Sequence, residues 1–173
     1  MNRNGRRSSS QATARFLSAW LWGIPVVLLL VLGGCQGKPA KLTTTDGQQL
    51  AWDDMDISQR KRHMQQAVLP VAASVFSSWR PERYARVDCT LCHGKGVEEE
   101  RFDMPTNHLP RLSGSLFLGP EFRAHPETTR LKLDELVPKM AEALGKKPFS
   151  LLTRRGFGCY SCHLGPDGAM FGN

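Results

Sequence analysis

Two short stretches of this chain bring sulfur and imidazole together at the same spacing: Cys89, Thr90, Leu91, Cys92, His93 and Cys159, Tyr160, Ser161, Cys162, His163. Thiols three positions apart lie on one helical turn, and the histidine next in line is carried beneath them. Three chemistries use such pairs. Two C-x-x-C pairs can build a tetrahedral zinc site, but zinc does not call for a histidine after both pairs. Paired thiols can cycle through a disulfide, as in thiol–disulfide enzymes built on a βαβ frame, yet no strand-rich stretch precedes either motif. Two thiols can also form thioethers to the two vinyl groups on one edge of a porphyrin, which sets the following imidazole under the iron. Only this third chemistry uses both cysteines and the histidine of each run. The sequence therefore predicts two covalent haem c groups, held by Cys89 and Cys92 with His93 as iron ligand, and by Cys159 and Cys162 with His163.

The fifth cysteine has a different setting. Residues 2–15 are cationic, residues 16–32 form an apolar run, and the run closes on Leu32, Gly33, Gly34 and Cys35. That order reads as a secretory signal. The run is long enough to come close to spanning a bilayer, so an uncleaved anchor is the alternative; small Gly33 and Gly34 favour cleavage. The closing four residues resemble the lipobox of bacterial lipoproteins. This resemblance implies removal of residues 1–34, diacylation of Cys35 and attachment to the cell envelope facing the periplasm. Gln36, in place of an aspartate, implies the outer rather than the inner membrane. Outside the cytoplasm thiols are oxidised or otherwise occupied, and these readings occupy all five.

Charge narrows the partners. Of the formal +7, residues 1–34 carry four arginines and no acid, and the other 139 residues hold 19 basic against 16 acidic side chains. The basicity belongs mainly to the export segment, so no nucleic-acid partner is expected.

The elements that must position the motifs follow from periodicity. Residues 35–55 read as a lipidated flexible tether, with 36–54 polar and without apolar rhythm. Residues 56–173 read as the dihaem domain. A helix is predicted over 57–79, capped by Asp56 or Ser58, with Met64, Val68, Val71, Ala72, Val75, Phe76 and Trp79 on one face. Pro70 should kink or divide it. A second helix is predicted over 131–144, with Leu133, Leu136, Val137, Met140, Ala141 and Leu144 as its stripe, Pro138 inside it and Gly145 ending it. In each half an amphipathic helix containing valine and proline precedes C-x-x-C-H, a loose internal repeat. Residues 102–122, rich in proline and glycine, read as an irregular loop wrapped over a haem.

An electron-transfer haem usually takes a sixth ligand, Met or His. Met104 lies 11 positions after His93, ample chain to pass a porphyrin edge, whereas Met170 lies a tight seven after His163. Only ten residues follow His163, so upstream chain must cover the second haem. Met104 and Met140 are the preferred ligands. Met64 and His108 are weaker candidates; His63, among Arg60, Lys61 and Arg62, and His125, beside Pro126, read as solvated.

Residues 57–163 resemble small bacterial dihaem c-type cytochrome lipoproteins. The likeness is carried by the Cys35 lipobox, the first motif with its trailing Gly94, Met104 with Pro105, and Gly156, Phe157 and Gly158 leading into the second motif. Met104 and Pro105 are similar to the segment supplying the distal sulfur in class I cytochromes c, although their Met lies much farther from the haem motif. Met140, on a helix leading by a turn into C-x-x-C-H, resembles the layout of the tetrahaem subunit of photosynthetic reaction centres; core packing is its competing role. The resemblance implies a mostly α fold, a small cytochrome c-like helical domain with long loops packed around two covalent haems. It implies one-electron transfer with periplasmic or membrane redox proteins and no catalytic residue. A haem-based sensor or small-ligand binder with one open iron is the alternative; dihaem peroxidases are generally much larger chains. A domain this small leans on its macrocycles for buried surface, so the apo chain is expected to fold poorly.

Overall fold

A computed structural model describes residues 40–44, 46–115 and 118–170. The expected signal segment, residues 1–34, and the Cys35 acylation site lie outside the described residues. Among the described residues helix dominates the regular structure, with one two-stranded antiparallel ribbon, β1 (Leu42–Thr43) and β2 (Gln49–Leu50). The mostly α expectation agrees with this.

The first long helix begins where its cap predicts. Asp56 accepts from the Gln59 backbone N–H at 2.8 Å while the Gln59 side chain accepts from the Asp56 N–H at 2.9 Å, a reciprocal capping box. From that cap run α1 (Ile57–His63), a wider π-type turn (Met64–Val68) and α2 (Leu69–Trp79). The proline explains the wide turn. Pro70 has no N–H, and its ring would collide with a carbonyl one turn back in a regular helix. The Leu69 N–H instead bonds to the Met64 carbonyl five residues back.

The second half repeats the device. Short helices α4 (Pro120–Ala124) and α5 (Pro126–Leu131) lead into a π-type turn (Lys132–Leu136) and α6 (Val137–Ala143), where the Val137 N–H bonds to the Lys132 carbonyl. In both halves the proline stands two positions after the turn ends. The loose repeat thus has a structural basis, with Ala72 and Met140 at matching positions. The second long helix starts at Pro126 rather than at the expected Leu131, and His125 separates it from α4.

The core lies where the two kinked helices meet. Val68 and Ala72 from the first, Met140, Ala141 and Leu144 from the second, and Phe157 form its buried cluster, with Met64, Leu136, Val137 and Cys162 packed against it. Val75 and Phe76 are also buried. Both predicted apolar faces are therefore the faces in use.

Residues 40–55 differ from the expected tether. The Thr44 hydroxyl donates to the Gln48 carbonyl at 3.1 Å and accepts from its N–H at 3.0 Å, closing the turn of the ribbon. Ala51 and Met55 are buried, and Trp52 packs on the helix core. A few apolar side chains without periodicity are enough to fold a polar segment onto a domain when helices offer a surface.

Candidate functional site

The first motif is one turn of helix, α3 (Thr90–His93), entered at Cys89. Asp88 accepts from the Thr90 backbone N–H at 2.9 Å and from the Thr90 hydroxyl, and those bonds hold its carboxyl below the usual range. The His93 N–H closes on the Cys89 carbonyl at 3.0 Å. Gly94 ends the turn at φ +56°, where a Cβ would stand 2.6 Å from the Cβ of His108. That left-handed backbone and the pressed-in His108 together require glycine.

The second motif is a tighter 3-10 turn over Cys159–Ser161, with the His163 N–H again on the Cys159 carbonyl at 3.0 Å. The Ser161 hydroxyl caps it by accepting from the Gly158 N–H at 3.0 Å. In both motifs the thiols and the imidazole therefore come from consecutive positions of a single turn.

The loop after the first motif is built onto the second. Thr106 pairs with His163 as an isolated bridge and donates its N–H to the Cys162 carbonyl at 3.2 Å. The Leu112 N–H reaches the Leu164 carbonyl at 2.9 Å, and an Arg111 guanidinium N–H reaches the Gly165 carbonyl at 2.8 Å. Nδ1 of His163 lies 2.8 Å from the Pro110 carbonyl. A carbonyl only accepts, so Nδ1 carries the proton and Nε2 of the neutral ring is left as the electron-pair donor. Metal-binding histidines are commonly oriented in this way. Upstream residues 106–112 thus lie against the second motif.

His93 is buried at 7% exposure, with its ring edge-on to Phe102 at 5.3 Å, and among the described residues its Nδ1 has no hydrogen-bond partner. Burial holds His93 and His163 below the ordinary imidazole value, which favours the neutral ring that can ligate a metal.

The thiols share a setting. Cys89, Cys92, Cys159 and Cys162 are all free. Burial raises Cys92 and Cys159, and pushes Cys162 up to about 12 with further contributions from Cys92 and Cys159. Lys132 opposes each of these shifts. The two motifs are therefore electrostatic neighbours, with the Lys132 ammonium in range of both. Thiols held protonated in apolar surroundings are poor nucleophiles and poor thiolate ligands, unlike the depressed cysteines of thiol–disulfide enzymes. Among the described residues no three His, Cys, Asp or Glu side chains converge as a metal-ion site.

The candidate distal ligands fall in different places. Met104 is half-buried in the segment between Phe102, which packs on His93, and Thr106, which bridges to His163. Met140 is 8% exposed in the helix core, in the cluster against which Cys162 packs. Met64 packs on the same cluster. The Met170 sulfur lies against Gly114, where a Cβ would stand 3.5 Å away, and close over Gly165. His108 is half-buried over Gly94 and Gly96, beside the first motif. His125 is exposed, as expected.

His63 corrects the sequence reading. It is buried, not solvated, and its Nε2 donates to the Ala143 carbonyl at 2.7 Å. Its neighbours Arg60, Lys61 and Arg62 point elsewhere around the helix, Arg60 to the Trp52 and Asp53 carbonyls. Helical geometry lets a buried position sit among three cations, and only its i+4 and i+3 neighbours share its fate. Lys132 was missed altogether. Its signal was the repeat, since it occupies in the second half the place of Met64.

No family model, curated protein or solved structure matches this chain.

Proposed function

We propose that the chain is an exported, lipid-anchored dihaem c-type cytochrome that passes single electrons between envelope redox partners. Cys89 and Cys92 hold one haem c and Cys159 and Cys162 the other, with His93 and His163 ligating iron. Met104 and Met140 are the proposed sixth ligands. Haem iron, alternating between ferrous and ferric, supplies the one-electron chemistry. The chain supplies neutral imidazoles, that of His163 oriented by the Pro110 carbonyl, with apolar cover and neighbouring motifs. Cys35 carries the lipid that keeps the domain at the membrane, more in keeping with the outer than the inner one.

The observation that carries this reading is the His163 ring, with Nδ1 on the Pro110 carbonyl at 2.8 Å and Nε2 left to donate its pair. A nucleophilic or thiolate role for the cysteines has the opposite requirement, lowered thiol values, and burial raises three of the four.

Intact mass spectrometry of the exported protein tests the reading. The expected mass includes two haem groups and the acyl modification of Cys35. A colourless protein, or a mass without haem, refutes it. Binding of carbon monoxide to the reduced protein separates carrier from sensor: fast binding at one iron favours the haem sensor or small-ligand binder.

A further inference from the structure

We propose that the hairpin bearing Leu151 and Leu152 is a membrane-docking loop that settles on anionic lipid headgroups with both leucines at the acyl boundary. Leu151 is 60% exposed and Leu152 94%. Single exposed leucines need no explanation, but two in succession at the tip of an ordered hairpin form a patch. The hairpin is ordered by its backbone. The Phe149 N–H bonds to the Phe157 carbonyl at 2.9 Å, Ser150 to Arg155 at 2.9 Å, Arg154 to Ser150 at 2.8 Å and Phe157 to Lys147 at 2.8 Å. Phe157 is itself buried in the core cluster, so the base is fixed while the tip stands in solvent.

Three cations share the hairpin segment with the leucines. Lys147, Arg154 and Arg155 are exposed, and none of them takes part in an ion pair among the described residues. Lys146, at the base, is paired instead with Asp53 at 3.6 Å. An apolar tip with a cationic collar complements the interface of an anionic bilayer, where lipid phosphates meet the first acyl carbons.

Chain connectivity points the same way. Gly145, where the hairpin segment begins, packs on the start of the described chain: a Cβ there would stand 2.8 Å from the Ala40 carbonyl oxygen and 3.2 Å from the Leu42 side chain. Lys41 beside it is exposed. From Ala40 back to Cys35 is five residue steps, at most about 18 Å of extended chain. Acyl chains on Cys35 therefore tie this end of the domain to lipid. The inference rests in this respect on the proposed lipoprotein reading. Because Cys159 follows Arg155 by four positions, a docked hairpin also keeps the second motif near the bilayer surface.

The test uses the full exported chain in vesicles of phosphatidylcholine with phosphatidylglycerol, and in vesicles of phosphatidylcholine alone. Trypsin cleavage after Arg154 and Arg155 is followed by mass spectrometry. Cleavage is expected to be about tenfold slower on the anionic vesicles, with protection lost at high salt. A Leu151→Asp, Leu152→Asp variant, changed only at exposed positions, should keep its haem absorbance and lose the protection. Equal rates for the native chain on both vesicles overturn the proposal. So does protection that survives in the variant, or that appears only when soluble envelope proteins are added; the last assigns the loop to a protein partner. The intact mass of the same sample reports the acyl group. An unacylated chain refutes the lipoprotein reading, whereas an acylated chain with an unprotected loop refutes the docking alone.

Discussion

Replacing His63 by leucine removes a side-chain hydrogen bond that joins the two kinked helices. In the native protein Nε2 donates to the Ala143 carbonyl at 2.7 Å, and the ring sits edge-on to Trp52 at 6.1 Å, 8% exposed. Leucine keeps most of the volume, so the main loss is the partner of a half-buried carbonyl at the end of α6. An unsatisfied buried acceptor costs about 1–3 kcal/mol, and the lost ring contact adds roughly 0.5–1.5 kcal/mol. A destabilisation of about 2–4 kcal/mol follows. With a urea dependence of roughly 1–3 kcal/mol per molar for a small domain, the midpoint should fall by about 1–2 M. Helical circular dichroism and haem absorbance, recorded on one urea series of the exported protein, read the shift. A glutamine at the same position keeps a donor and should recover part of it. A leucine variant that unfolds at the native midpoint would refute the idea that this bond fastens the helices.

Three further outcomes follow from the same fold. Gly156 has φ +107° and a Cβ there would stand 2.5 Å from the Pro148 carbonyl oxygen, so Gly156→Ala should cost at least about 1–3 kcal/mol and lower the melting temperature; an unchanged melt contradicts the geometry. Burial holds His93 and His163 below the ordinary 6.5. Between 6.5 and their folded values the unfolded chain binds more protons, so this contribution to stability is present above 6.5 and is lost as the pH falls through that window. Urea midpoints compared at about pH 7.5 and about pH 5.5 should show the decline, and a midpoint that rises on acidification argues against buried neutral rings. Changing Cys89, Cys92, Cys159 and Cys162 together to alanine should yield an exported chain of much reduced helicity by circular dichroism. Native helicity in that variant shows that the helix core alone suffices to fold the domain.

Local pattern was legible where neighbours in sequence are neighbours in space. The two C-x-x-C-H runs display their chemistry in five consecutive residues each, and each does fold as one turn. The apolar faces of both helices could be read from three- and four-residue spacing, and Asp56 could be read as a cap because its partner Gln59 is three residues away. The prolines announced a disturbance but not its form: whether Pro70 breaks a helix or widens one turn depends on the packing on either side of it.

Tertiary structure decided everything that depended on contacts between distant residues. His63 lies 80 positions from the carbonyl that holds it, and His163 lies 53 from Pro110. Nothing near either histidine in sequence encodes those partners. The same is true of Trp52 and Met55, which look like isolated apolar residues in a polar stretch until two helices provide a surface for them. Periodicity fixes which face of an element avoids water, because that depends on the element's own geometry. Which surface covers that face is a property of the whole folded chain, since it depends on the shapes of elements that meet only after the intervening loops have closed.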